Sequence, residues 1–83
     1  MNNVNKLELS VFPNPTTGIF TLQINHYEQG SLFISNALGQ TIQQQSITSS
    51  RVELNLSEQA SGVYFIRIKT AEGEAIQKLI LQK

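Results

Sequence analysis

Apolar and polar residues alternate with a period of two along almost the whole chain, and that alternation admits few folds except β ones. Leu7, Leu9 and Val11 alternate with Lys6, Glu8 and Ser10. Phe20, Leu22 and Ile24 share one face of residues 19–25, and Tyr64, Ile66 and Ile68 stand opposite Phe65, Arg67 and Lys69. Successive side chains of an extended strand point to opposite faces, so this pattern buries one face and solvates the other. Residues 40–47 alternate weakly and Val52, Leu54 and Leu56 alternate again, while residues 32–34 read as a short apolar strand and residues 75–81 close the chain. Turn formers separate them: Pro13, Pro15 and Gly18, then Gly30, then Asn36 and Gly39, then Gly62, then Gly73. No stretch carries the period of an amphipathic helix. Residues 57–62 form a loop with room for one helical turn capped by Ser57.

Seven such segments, with turn signals every ~8–12 residues, predict an all-β chain, specifically a seven-stranded antiparallel immunoglobulin-like β-sandwich. A small barrel is the main rival, because periodicity does not separate the two. The 83 residues make one domain. Residues 1–6 read as a leader and residues 7–83 as the folded unit, with Met1 a start added to an excised C-terminal segment. The Gln-, Ser- and Thr-rich residues 40–50 suit an exposed edge strand and its loop. Leu79, Ile80 and Leu81 are too apolar for a solvated tail. They predict a last strand zipped onto residues 63–69 across a hairpin loop at 70–73, with Gly73 supplying positive φ.

Composition narrows the chemistry. Charge is sparse, 14% of residues, and sums to zero, so attraction to nucleic acid or anionic lipid is not built in. There is no Cys, hence no disulfide, thiolate nucleophile or Cys-ligated zinc. Every acid is Glu and the single imidazole is His26, too few groups for an Asp-based calcium loop or a catalytic zinc site. No metal and no cofactor is expected, and no catalytic residues can be assembled. No apolar run reaches the ~18 residues that span a bilayer, so direct membrane insertion is not expected. Residues 1–5 lack the charged and apolar regions of a signal peptide, which places any export signal elsewhere.

Four short signatures punctuate the alternation: Pro13-Asn14-Pro15 with Gly18, Asn36 to Gly39 and Gln40, Gly62 with Tyr64, and Lys78-Leu79 running to Lys83. Each has a purely structural reading. Two prolines cannot donate to a ladder, so Pro13 and Pro15 end an edge strand. Gly39 and Gly62 read as turn residues of unusual φ. Tyr64 reads as an inward aromatic whose hydroxyl caps loop backbone, similar to the tyrosine corner of sandwich folds. His26, beside Tyr27 and Glu28, reads as a solvated loop residue. Asn55-Leu56-Ser57 matches a glycosylation acceptor triplet, a weak signal at that length.

Taken together and in order, the four signatures resemble the C-terminal sorting domain of the type IX secretion system, over about Leu7 to Lys83. Members open with Tyr- or Phe-Pro-Asn-Pro and an apolar strand after a Gly, matched by Phe12-Pro13-Asn14-Pro15 and Gly18. An Asn/Asp-x-x-Gly-Gln/Lys turn follows, matched by Asn36, Gly39 and Gln40. A Leu-x(n)-Gly-x-Tyr element is matched by Leu56, Gly62 and Tyr64, and a Lys-led apolar strand by Lys78, Leu79 and Lys83. The resemblance implies a non-enzymatic secretion signal of a Gram-negative bacterium. It would follow a cargo domain in the same chain, fold in the periplasm, be recognised by the secretion machinery through these motif residues, and reach the cell surface or medium. The implied partners are the secretion translocon and a sortase-like surface peptidase. The last strand would serve as core element and accessible edge together. The alternative is a carbohydrate-binding or adhesive sandwich module with exposed Tyr27, Phe33 or Phe65, and a third reading is a spacer or accessory domain.

Overall fold

The computed structural model describes residues 8–25, 29–71 and 73–83. The leader expected over residues 1–6 and the loop residues His26, Tyr27 and Glu28 lie outside that set. Seven strands follow in order: β1 (Leu9–Phe12), β2 (Ile19–Ile24), β3 (Gly30–Asn36), β4 (Thr41–Ile47), β5 (Arg51–Asn55), β6 (Gly62–Thr70) and β7 (Gly73–Leu81). They form a three-stranded sheet, β1-β2-β5, and a four-stranded sheet, β4-β3-β6-β7. Every ladder between named strands is antiparallel. Among the described residues there is no helix.

The period of two explains the packing. From the smaller sheet Phe20, Leu22, Ile24 and Leu54 point inward; from the larger, Leu32, Ile34, Ile47, Tyr64, Ile66, Ile68, Leu79 and Leu81 do so. With Leu56 they make one cluster between the sheets, flanked by half-buried Leu9, Val11, Ile42, Val52 and Ala75. Each such aliphatic or aromatic side chain contributes about 1.5–3 kcal/mol on leaving water. A slip of one residue in any ladder would turn that strand's apolar set outward, so the core itself fixes the registers.

The edges are managed differently on the two flanks of the larger sheet. β4 carries Gln43, Gln44, Gln45 and Ser46, and its register against β3 shifts between Ile34 and Ser35. A polar, bulged outer strand is a poor template for pairing with another chain. At the opposite flank β6 and β7 form the expected hairpin, closed at Thr70 opposite Gly73 and running to Gly62 opposite Leu81. Residues 57–61 are turn and bend without a helical turn. Ser57 is not a cap there: Asn55 Oδ1 accepts from both its N–H (2.8 Å) and its hydroxyl (2.6 Å). That Asx turn outcompetes helix nucleation, which costs too much for so short a segment.

Truncating Leu79 to Ala should cost about 2–5 kcal/mol. The same change at Ile76, on the outer face of the same strand, should cost less than about 1 kcal/mol. Urea denaturation of both variants checks this, and equal losses would mean that β7 is out of register by one residue.

Candidate functional site

The registers bring all four signatures to one end of the molecule. Ile19 pairs with Asn55, which sets the β1–β2 turn beside the loop after β5. Asn36 pairs with Tyr64, and Tyr64 with Leu79, so the β3–β4 turn lies in the same layer as the start of β6 and the end of β7. Residues separated by about the whole chain length are thus fastened to one another at this pole.

The fastening begins between β1 and β2, where the chain leaves the smaller sheet to touch the larger one. β1 pairs with β2, but after Phe12 the prolines withdraw two donors from any ladder. Residues 13–16 then lie along the free edge of β7, the side turned away from β6. The carboxamide of Asn14 straddles that edge: its Nδ2 donates to the Lys78 carbonyl (2.9 Å) and its Oδ1 accepts from the Ile80 N–H (3.0 Å). Thr16 continues with main-chain bonds, its N–H to the Ile80 carbonyl (2.8 Å) and its carbonyl from the Gln82 N–H (2.8 Å). It forms a parallel bridge with Leu81. A side-chain amide has the donor and acceptor of a peptide unit, so Asn14 acts as one rung of a strand and Thr16 as the next. The last strand was expected to offer an accessible edge. Over its final half that edge is already filled.

Thr16 is only 1% exposed, the buried polar residue of the core, and all of its groups are used. Besides its main-chain bonds, its hydroxyl donates to the Ile19 carbonyl (2.9 Å) and accepts from the Gly18 N–H (3.1 Å). That satisfaction is what permits its burial. The Gly18 carbonyl accepts from the Leu56 N–H at 2.8 Å. A Cβ on Gly18 would stand 2.9 Å from the Cβ of Ser57, and its φ is +154°, so both space and backbone require glycine.

At the neighbouring turn Asn36 is the organiser. Its Oδ1 accepts from the N–H groups of Leu38 and Gln40 (3.0 Å each), and its Nδ2 donates to Gln40 Oε1 (2.9 Å). The Gly39 N–H closes the turn onto the Asn36 carbonyl (3.0 Å) with Gly39 at φ +88°, a conformation that Asn tolerates and glycine favours. Leu38 projects from the tip, 86% exposed.

The third signature behaves as its residues suggest. Tyr64 is buried, and its hydroxyl donates to the Ala60 carbonyl (2.5 Å), tying the loop after β5 to the core. Gly62, at φ +157°, starts β6 opposite Leu81. The same loop holds the fourth signature. Lys83 donates its N–H to Ser61 Oγ (3.1 Å) and its ammonium to the Gln59 carbonyl (2.8 Å). Leu79 is fully buried, while the Lys78 side chain stays in solvent. Asn55, of the glycosylation triplet, has its carboxamide oxygen engaged by Ser57.

The residue that sequence reasoning missed is Thr16. It stands inside the first signature, where it read as spacing between Pro15 and Gly18. A Thr two residues before a Gly is a recognisable local turn, but its burial depends on β7, more than sixty residues away, which no local pattern reveals.

A family model described as a secretion system C-terminal sorting domain matches residues 10–82. The chain belongs to that family. It is a C-terminal sorting signal for type IX secretion, and such a signal implies export to the cell surface or the extracellular space. No curated protein matches the chain. The sorting-domain family is not catalytic. Of the described aromatic residues, Arg67 lies over the Phe33 ring at 5.1 Å and Arg51 over Phe12 at 5.7 Å, Tyr64 faces the core and Phe65 is exposed, while Tyr27 lies outside the described residues.

Replacing Asn14 with Ala in the sorting domain removes both hydrogen bonds that its carboxamide makes to the β7 edge. Each is worth about 1 kcal/mol, so stability to urea should fall by about 1–2 kcal/mol. Asn14→Asp keeps the acceptor for Ile80 but sets a carboxylate against the Lys78 carbonyl, and it should not restore the wild-type midpoint. Wild-type stability in both variants would show that the carboxamide does not close the edge.

Proposed function

We propose that the domain is a non-catalytic address read in its folded state by the type IX translocon. In this reading it passes through the periplasm at the end of a cargo carried by the same chain, and a sortase-like peptidase removes it at the cell surface. The observation that carries the proposal is the convergence of four signatures at one pole, fastened by Asn14, Thr16, Tyr64 and Lys83. A surface assembled from four distant segments exists only after folding, so a receptor that reads it accepts folded cargo tails and rejects unfolded ones. Pro13, Asn14, Pro15, Gly18, Asn36, Gly39, Gln40, Gly62, Tyr64, Lys78, Leu79 and Lys83 then act together. Gly18, Tyr64 and Leu79 are buried and position the pole, and Pro13, Asn14, Pro15, Gly39, Gln40, Gly62, Lys78 and Lys83 are exposed on it.

The fold is proposed as an immunoglobulin-like sandwich, with residues 7–83 as its unit. Two features support this. The strand orders β1-β2-β5 and β4-β3-β6-β7 correspond to the two-sheet division of such folds, with β4 beside β3 on the larger sheet. The Tyr64 hydroxyl also reaches back to loop backbone as a tyrosine corner does.

Fusing residues 7–83 behind a periplasmic signal peptide and a reporter should deliver the reporter to the surface or medium of a host with a type IX system. Lys83→Ala, with folding verified by circular dichroism, should lower that delivery. An intact fusion that stays periplasmic in a competent host would overturn the reading.

A further inference from the structure

The outward face of the four-stranded sheet is unusually apolar for a small domain. Of its outward residues on β6 and β7, Val63 and Ile80 are 36% exposed, Phe65 38% and Ile76 62%. Val63, Phe65 and Ile80 adjoin, and Ile76 stands diagonal to Phe65 across the ladder. Val63 is opposite Ile80, Phe65 is opposite Lys78, and Arg67 lies between Phe33 on β3 and Ile76 on β7. The remaining large exposed apolar residues, Phe12, Ile19 and Leu38, lie outside β6 and β7. A contiguous apolar patch on a soluble domain marks a contact surface more often than chance exposure.

The charge on this face is one-sided. The face presents Arg67, Lys69 and Lys78 against a single described carboxylate, Glu74, which sits 3.9 Å from Lys69. The other described carboxylates, Glu8, Glu53 and Glu58, belong to the smaller sheet and its loops. A chain of zero net charge thus sets Arg67 and Lys78 among the exposed apolar residues of β6 and β7, with no carboxylate partner for either among the described residues.

We infer that this face is a docking surface for a protein of the secretion machinery, and that the contacting surface of that protein is apolar and flanked by carboxylates. The inference rests on the sorting function and names a partner chemistry for it. Charge complementarity selects the partner: two copies laid face to face would oppose like charges, and a basic, apolar face is matched by an acidic, apolar one. A lipid layer fits less well. Beside Ile76 the outward main-chain groups of Glu74 and Ile76 have no partner among the described residues, unlike those of Ile80. Protein backbone can fill such an edge and an acyl layer cannot.

The test uses the reporter fusion with Phe65→Thr, Ile76→Thr and Arg67→Glu, separately and combined. None of the three is a signature residue, and Thr keeps strand propensity at an exposed site. Gln23→Thr, on the outer face of the smaller sheet, is the control. The combined variant should melt near wild type while its export falls about tenfold or more, and Gln23→Thr should export normally. If wild type and every face variant export equally, the docking surface is wrong and the sorting function stands. If the wild-type fusion is not exported, the sorting reading fails and takes this inference with it. Normal export of Arg67→Glu beside failure of the Thr variants would overturn the acidic partner. Two further measurements use the purified domain: sedimentation, and binding to vesicles containing phosphatidylglycerol. Self-association or vesicle binding that the face substitutions abolish would overturn the assignment to a machinery protein.

Discussion

The contact on which the rest of this structure depends is the one between the Asn14–Thr16 segment and the outer edge of β7. Sheet edges expose rows of unpaired donors and acceptors, and a final strand is held from one side only. Here two rungs, one made by a side-chain amide and one by main chain, hold the end of β7 from its second side. The same segment leaves the smaller sheet after β1, touches the edge of the larger at β7 and returns to the smaller at β2, so it also joins the two layers. The prolines matter because they end β1 and so free the chain to leave its sheet. Asn14 matters because its short amide reaches the edge that the prolines cannot bond.

From that contact the other features at the pole follow. With Leu81 fixed in the core, Gln82 and Lys83 fall beside the loop after β5, and Lys83 grips it through Gln59 and Ser61. Tyr64 grips the same loop from beneath at Ala60. Gly18 leaves room for Ser57 beside it and accepts the Leu56 N–H at its carbonyl. Individually these bonds are worth about 1 kcal/mol each. Their effect on geometry is larger, because they tie four segments into a single surface that no one of them can present alone.

How much of this the sequence disclosed depends on the range of the interaction. Strand positions were legible because the period of two is local: residues 63–69 and 75–81 lie within β6 and β7, and the hairpin between them closes as its Gly73 suggested. β3 was read only over residues 32–34, since Gly30, Ser31, Ser35 and Asn36 carry no apolar alternation, yet its ladders run from Gly30 to Asn36. The turn at Asn36 and the inward Tyr64 were legible because their partners lie within four residues. The closed edge of β7 was not, because Asn14 and Lys78 are brought together only by the tertiary fold. The helical turn expected at Ser57 failed for a local reason, the competing carboxamide of Asn55.

Amide hydrogen exchange on the folded domain tests the central claim most directly, because it reads the two halves of the β7 edge separately. If Asn14 and Thr16 close that edge, the Ile80 and Gln82 N–H groups should exchange slowly, opening only with large-scale unfolding. The Ile76 N–H, on the same edge of the same strand but without a partner among the described residues, should exchange faster by orders of magnitude. Exchange of Ile80 as fast as that of Ile76 would contradict the account.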